Sequence, residues 1–385
     1  METIKLYDSD AYMTEFDAFV LSSEPGTYKG RDIFKVVLDQ TLFFPEEGGQ
    51  SPDLGVLGDA DVLYVQISSS VITHYVTNSL PVGLKVHGKI DFHHRYSNMQ
   101  QHSGEHIFSG IVNSKFGFNN VGFHLSDNSV TMDYDGVLSK EEIVQVEYLV
   151  NRAIWENVEI KAYYPTAEEL KSIDYRSKKE LSGPIRIVTI PGYDTCACCA
   201  PHVKRTGEIG MLKVIGFQNY KGGIRLHILC GERALKYFNE SLDLVSEITD
   251  SLTTGRENVV TNIEKMKDEI STLRSSVAAL KYELIMNEVK DIPETHENII
   301  LFKEKTDSFI MRNVVNSLVT VRPGFSAFFS GDDETGYNYI IGCKSGDLTE
   351  IQKKLNSLGA HGGGKAQMIQ GSVKATKKEI EEILK

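Results

Sequence analysis

Met99-Gln100-Gln101-His102-Ser103-Gly104-Glu105-His106 sets two histidines four residues apart. On a helix, positions i and i+4 share one face, so both imidazoles can reach a single ion. The pair alone is a weak signal, because exposed helix faces also carry histidines at that spacing. Glu105 precedes the second histidine instead of following the first, so the H-E-x-x-H arrangement of metalloproteases, with its general base, is absent. Glu105 is an auxiliary base only if the helix turns it inward. A second segment, Cys196-Ala197-Cys198-Cys199-Ala200-Pro201-His202, repeats the spacing with Cys198 and His202. His102, His106, Cys198 and His202 together make a four-donor set of the type that Zn²⁺ takes. Cys198 fits the spacing, with Cys196 and Cys199 as the alternative thiols. Cys196 and Cys199 also form a C-x-x-C, but a redox pair belongs at a helix N-terminus in a βαβ context. Here the motif follows Ile190-Pro191-Gly192-Tyr193-Asp194.

Working outward from the histidines, the fold class is α+β, in four regions. Residues 1–92 alternate short β-rich runs with turn residues, as in Phe34-Lys35-Val36-Val37-Leu38 and Val62-Leu63-Tyr64-Val65-Gln66-Ile67. That spacing predicts a small N-terminal β-barrel. Residues 93–231 form an α/β region that holds the zinc donors. It carries the histidine helix, a second helix near 140–154, and strands near 130–133, 185–190 and 225–229. Residues 232–290 are strongly helical. Val259, Ile263, Met266, Ile270, Leu273, Val277, Leu280 and Leu284 recur at alternating spacings of four and three, which is a heptad seam. Val245, Ile248 and Leu252 hold the same register upstream, until Thr253-Thr254-Gly255 interrupts it. A glycine in a helix interior costs about 1 kcal/mol relative to alanine. A turn between two antiparallel helices is therefore expected there, with one continuous helix as the rival. The seam is expected to pack helices together and to carry no chemistry. Pro293 ends the arm, and residues 291–385 read as a small α/β domain.

Five cysteines, three of them crowded into one segment, suit a metal or thiol site in a reducing compartment better than a disulfide framework. The start of the chain lacks a signal-peptide pattern, and no run reaches the roughly 18 apolar residues of a membrane span. The chain reads as cytoplasmic, with no membrane partner. A net charge of −12 argues against bulk electrostatic binding of nucleic acid. The stretch from Phe302 to Lys385 carries a slight excess of Lys and Arg, so any such partner would be held by local basic patches there.

On these residues the sequence resembles the editing domain of alanyl-tRNA synthetase and its free-standing relatives, the AlaX-type trans-editing proteins. That family pairs an H-x3-H helix with a later C-x3-H segment running into a Thr-Gly-Glu-Ile-Gly tail, here Cys198 to His202 followed by Thr206-Gly207-Glu208-Ile209-Gly210. Phe43-Phe44-Pro45-Glu46-Glu47-Gly48-Gly49-Gln50 resembles its F-Y-P-E-G-G-G-Q signature, with Glu47 in place of the first glycine. Val121-Gly122-Phe123-His124-Leu125 ahead of Val130-Thr131-Met132-Asp133 also fits. Gly362-Gly363-Gly364-Lys365, followed by Met368-Ile369-Gln370-Gly371, is similar to the DHHA-type domain that ends alanyl-tRNA synthetase.

The resemblance reaches from Leu6 to Gly371 and matches the long form of AlaX. It implies hydrolysis of the aminoacyl ester of tRNA(Ala) mischarged with serine or glycine, at a Zn²⁺ site. The synthetase's own catalytic domain is not expected, since the barrel begins within a few residues of Met1. Such chemistry answers a real need: an alanine pocket rejects an added hydroxyl by only about 10²-fold. Four donors would close a tetrahedral site, so zinc either activates water through an expanded or exchanged shell or mainly positions the aminoacyl group. Gln50 is expected to orient the terminal adenosine or the ester, Thr41 to contact the serine hydroxyl, and His124 to line the pocket. Gly362, Gly363, Gly364 and Lys365 are expected to form a loop of exposed N–H groups against the tRNA backbone, without the spacing of a nucleotide P-loop. A homodimer through the helical arm or the C-terminal domain is a further expectation. Asp91-Phe92-His93-His94 only faintly resembles the motif of DHH phosphoesterases. The stronger rival is a non-catalytic tRNA-binding module, which binds tRNA without turnover.

Overall fold

The computed structural model describes residues 2–127, 129–177, 183–293 and 295–384. They form a mixed α and β architecture that divides into two compact units, Met1–Val245 and Ser246–Lys385.

In the first unit the strands Glu15–Tyr28, Arg31–Leu38, Val71–Val76, Ala60–Ser68, Gly55–Leu57 and Lys85–Ile90 close, in that spatial order, into a barrel. Period-two alternation builds its interior: Phe16, Ala18 and Val20 point in from one strand, Val36 and Leu38 from the next, Ile72 and Val76 from a third. His74 joins them inside, its Nδ1 donating to the Val36 carbonyl at 3.2 Å and its Nε2 accepting from the Thr41 hydroxyl at 2.8 Å. Burial pushes the His74 pKa down to about 4.

The histidine helix spans Phe92–Phe116, capped by the Asp91 carboxylate on His94 N–H and ended by Gly117 in the left-handed region. It has no polar outer face through its middle: everything from Ser97 to Val112 is buried. Arg95 fastens it to the barrel through a fully buried pair with Asp53, whose Oδ2 accepts from the guanidinium and also from Phe44 N–H, the latter at 2.6 Å. The same guanidinium donates to the carbonyls of Ala11 and Leu42. Around the helix lie a four-stranded sheet (Leu212–Tyr220, Gly223–Cys230, Val130–Tyr134, Asn120–Leu125) and a three-stranded one (Lys161–Tyr163, Ile187–Ile190, Asp194–Ala197). The helix Lys140–Glu156 adds Ile143, Val146 and Val150 to the shared apolar core.

The helix Gly231–Ser251 ends just before the expected break. Thr253 takes a positive φ of 49°, a 3₁₀ turn follows at Arg256–Asn258, and a new helix runs Val259–Lys290. The continuous-helix alternative is thereby set aside. The heptad seam on that second helix does not pack as expected: Ile263, Met266, Ile270, Leu273, Val277, Leu280 and Leu284 are all at least 37% exposed. Apolar periodicity specifies which face wants a partner, and not where the partner comes from. Only the far end of the helix, at Ile285 and Val289, is buried, against Ile310, Met311 and Val314 of the helix Ser308–Val321.

The rest of the second unit is a five-stranded sheet in the order Ile299–Lys303, Phe325–Asp332, Gly336–Cys343, Met368–Val373, His361–Lys365. The first pair is parallel and the others antiparallel. Gly362 to Lys365, expected as a loop, is therefore an exposed edge strand. Successive N–H groups of a strand point to opposite sides, so they do not converge into a phosphate nest. A Cβ at Gly362 would lie 2.3 Å from the Gln370 carbonyl oxygen and one at Gly364 2.1 Å from that of Met368. These two glycines let the strands approach. No described helix is long and apolar enough to cross a membrane.

Candidate metal centre

Four candidate donors meet beside the middle of the histidine helix. His102 and His106 project from successive turns, while Cys198 and His202 come from the segment that leaves the strand Asp194–Ala197. One donor atom from each of the four lies within 4.8 Å of the others. The Cys198 Sγ stands 3.6 Å from His102 Nε2 and 3.4 Å from His202 Nε2. Zinc bonds of about 2.0–2.1 Å to nitrogen and 2.3 Å to sulfur, at tetrahedral angles, separate N and S by about 3.6 Å. The donor set fits such an ion in both chemistry and size. Cys196 and Cys199 stand outside this four-donor group, although Cys196 joins His106 and Asp194 in a second cluster sharing His106.

The imidazoles are oriented from behind. His102 Nδ1 donates to Gln50 Oε1 at 2.8 Å, His106 Nδ1 to Asp194 Oδ2 at 2.9 Å, and His202 Nδ1 shares a 3.0 Å hydrogen bond with Ser103 Oγ. Each ring thus spends Nδ1 on the protein and turns Nε2 toward the common centre, the arrangement that fixes tautomer in metal-binding histidines. Asp194 is in turn clamped by Arg176 at 2.8 and 3.0 Å. Burial alone would raise the Asp194 pKa, but His106 and Arg176 hold it below the usual carboxylate range. Gly110 makes this approach possible, since a Cβ there would sit 2.8 Å from the Asp194 Cβ and 2.2 Å from the Tyr193 carbonyl oxygen.

Electrostatics favour a thiolate. Burial opposes ionisation of Cys198, yet the neighbouring His102 and His202 carry its pKa well below the ordinary thiol value. Burial lowers the His202 pKa to about 3, which keeps that ring neutral and able to ligate. Arg186 holds the cysteine segment from below, donating to the carbonyls of Cys198 and Ala200 at 3.1 and 2.8 Å.

The other anticipated residues fall at different depths. Gln50 is fully buried, and its amide Nε2 has no partner among the described residues. Gly49 before it has φ 87°, and a Cβ there would lie 2.3 Å from the Phe123 carbonyl oxygen. Only glycine can bring this loop onto the strand Asn120–Leu125. Thr41 is buried inside the barrel, its hydroxyl donating to His74 and accepting from Phe43 N–H at 3.0 Å. Glu105 turns inward and is fully enclosed, accepting from Ser109 and Asn120 and standing 3.9 Å from His106 Nε2. His124 is exposed on its strand. Asp194, Arg176, Ser103 and Arg186 were not anticipated. Two faint signals existed: Asp194 sits beside the cysteine run, and Ser103 lies inside the histidine motif.

Comparison with known proteins bears on the family. A family described as the threonyl and alanyl tRNA synthetase second additional domain matches residues 185–227, the stretch that supplies Cys198 and His202. The alanyl-tRNA editing protein Aarsd1 of Danio rerio is 30% identical over 98% of this chain and 96% of its own length. Aarsd1-A of Xenopus laevis is 27% identical over 97% and 95%. The alanine–tRNA ligase of Ignicoccus hospitalis is 27% identical over the whole of this chain but only 42% of the ligase. The solved C-Ala domain of Aquifex aeolicus alanyl-tRNA synthetase aligns over 23% of this chain and 83% of that one, at 21% identity and a TM-score of 0.20, too low to bear on the fold. Full-length similarity to a named editing protein defines a protein of the alanyl-tRNA editing class. The chain belongs to the AlaX-type alanyl-tRNA editing proteins.

Proposed function

We propose that this protein is a trans-editing deacylase that hydrolyses the aminoacyl ester of tRNA(Ala) mischarged with serine, and with glycine as the second substrate. The observation that carries the reading is the convergence of three imidazole Nε2 atoms on Cys198, with every Nδ1 already committed to the protein. Zn²⁺ held by His102, His106, Cys198 and His202 would polarise the ester carbonyl or a bound water. The chain's own groups do the rest. The Gln50 Nε2, without a partner among the described residues, donates to the ester carbonyl, and Asp194 with Arg176 keeps the His106 ring from turning. Glu105, enclosed and tied to Ser109 and Asn120, serves as a fixed hydrogen-bond acceptor beneath His106 and not as the base, because a general base must reach the proton it removes. Thr41 has one acceptor lone pair left for a serine hydroxyl, and glycine would make no such contact. The four-donor set favours zinc as a positioning element over zinc as the source of the attacking water.

The edge strand Gly362 to Lys365 presents N–H groups and one cation for tRNA phosphates. A second copy of the chain would cover the exposed seam on Val259–Lys290. Ile263, Ile270 and Val277 at one core position and Leu273 and Leu280 at the other favour two parallel strands. Deacylation of Ser-, Gly- and Ala-tRNA(Ala) by the zinc-loaded protein, beside Cys198→Ala, tests the activity. Selective turnover of the first two, lost with zinc in the variant, is expected. Equal slow hydrolysis of all three by both proteins would leave the non-catalytic tRNA-binding reading.

A further inference from the structure

Three buried polar atoms near the cysteine segment have no hydrogen-bond partner among the described residues: the Tyr7 hydroxyl, Glu47 Oε2 and Gln50 Nε2. Tyr7 is 2% exposed and Gln50 fully buried. Native interiors rarely leave such groups unpaired, because each loses water and gains nothing. These three share one neighbourhood. The turn from Glu47 to Gln50 is closed by the Gln50 N–H to Glu47 carbonyl bond at 3.1 Å. A Cβ at Gly48 would stand 3.5 Å from Cys199 Sγ. Tyr7 packs edge-on against Phe44 at 5.4 Å, in the apolar cluster that also receives Cys198 and Cys199. Tyr7, shifted upward first by burial, also feels the Asp8 and Glu47 carboxylates.

The unmet needs are complementary to one chemical group. Glu47 can only accept while ionised, Tyr7 can accept or donate, and the Gln50 amide nitrogen can only donate. An aminoacyl ester offers an α-ammonium, which is a cationic donor, one carbon from a carbonyl, which is an acceptor. We propose that Glu47 and Tyr7 form the subsite for the α-ammonium of the aminoacyl group, beside the Gln50 amide that takes its carbonyl. Glu47 is then a specificity-determining residue for substrates with a free amine. This assignment rests on the editing reading, and adds to it a requirement for the amine.

The test measures binding to the zinc-loaded full chain of 3′-serylamido-3′-deoxyadenosine and of its des-amino counterpart. Wild type is expected to prefer the amino compound by about 10–100-fold, as charge-assisted hydrogen bonds give. Glu47→Gln should cut that preference at least tenfold while leaving the des-amino compound unaffected. Tyr7→Phe should lower it a few-fold with an unchanged or higher Tm, since the hydroxyl it removes has no partner to lose. Equal affinity of wild type for the two compounds would overturn the subsite, as would a Glu47→Gln loss shared equally by both. A wild-type protein that keeps the amine preference yet fails to deacylate Ser-tRNA(Ala) would sink the editing reading alone. Turnover without amine preference would sink the subsite alone.

Discussion

The histidine–cysteine cluster and the heptad seam are both spelled out by residue spacing, and the fold treats them in opposite ways. At the cluster, polar side chains that ordinarily stay in water are enclosed: His102 and His106 are 2% exposed and His202 5%. Along the seam, apolar side chains that ordinarily leave water remain in it, with Leu273 at 56% and Leu280 at 65%. The cluster is tolerable because each imidazole is hydrogen-bonded from behind and the four facing donors are complementary to one cation. The seam has no such completion within its own unit. Each region is incomplete, one toward an ion and one toward another surface. A buried polar site announces its ligand by donor chemistry, an exposed apolar stripe only by shape and period.

The largest effect expected from breaking the buried side of this contrast is at Asp194. Asp194→Asn removes the anion behind His106 and leaves Arg176 buried opposite a neutral group. Breaking such a pair costs about 3–5 kcal/mol of stability, and loss of the group behind a ligand weakens metal binding about 10–100-fold. Urea unfolding and zinc competition with a chelator read the two separately. A variant as stable and as zinc-avid as wild type would mean that the network behind the rings is decorative.

Acid should act next, through His74. Its folded pKa of about 4 lies below the ordinary value near 6.5, so between those values the unfolded chain binds a proton that the folded barrel refuses. The stabilisation is complete above pH 6.5 and is lost as pH falls toward 4, by about 3 kcal/mol in all. Stability measured against pH for wild type and His74→Phe should diverge in slope over that window. Parallel curves would show that the ring is not held neutral.

The smallest effect in the isolated chain should come from the seam. Leu226, fully buried in the first unit, is expected to cost about 2–5 kcal/mol as Leu226→Ala. Leu273→Ala in dilute monomer should cost less than about 0.5 kcal/mol. If two copies pair along the seam, sedimentation should show a dimer that Leu273→Asp dissociates, and the melting temperature of wild type should rise with concentration. A monomer at all concentrations would leave the seam for a different partner.

Much of the site was legible because its spacing is local. His102 and His106 need only one helix, and Cys198 and His202 only one short segment. The pairings behind the rings were illegible, even for Gln50, which was expected in the site: Gln50, Asp194 and Ser103 reach their histidines across 52, 88 and 99 residues of chain. Glu105 shows the same limit, since sequence placed it on the helix but not on the helix's enclosed side. Gly362 to Gly364 misled in the other direction. Glycine is poor in strands, so the run reads as a loop, whereas backbone crowding from the neighbouring strand is what demands glycine there.

By itself the sequence determined the barrel, the donor types, the break after Ser251 and the seam, all of which follow from periods of two, 3.6 and seven along the chain. Only the tertiary structure decided that Cys198 and neither neighbouring thiol completes the four-donor group, that three Nε2 atoms face it, and that the seam is left uncovered. Those outcomes depend on which distant backbones approach closely enough to exclude water, and spacing along a chain does not encode that distance.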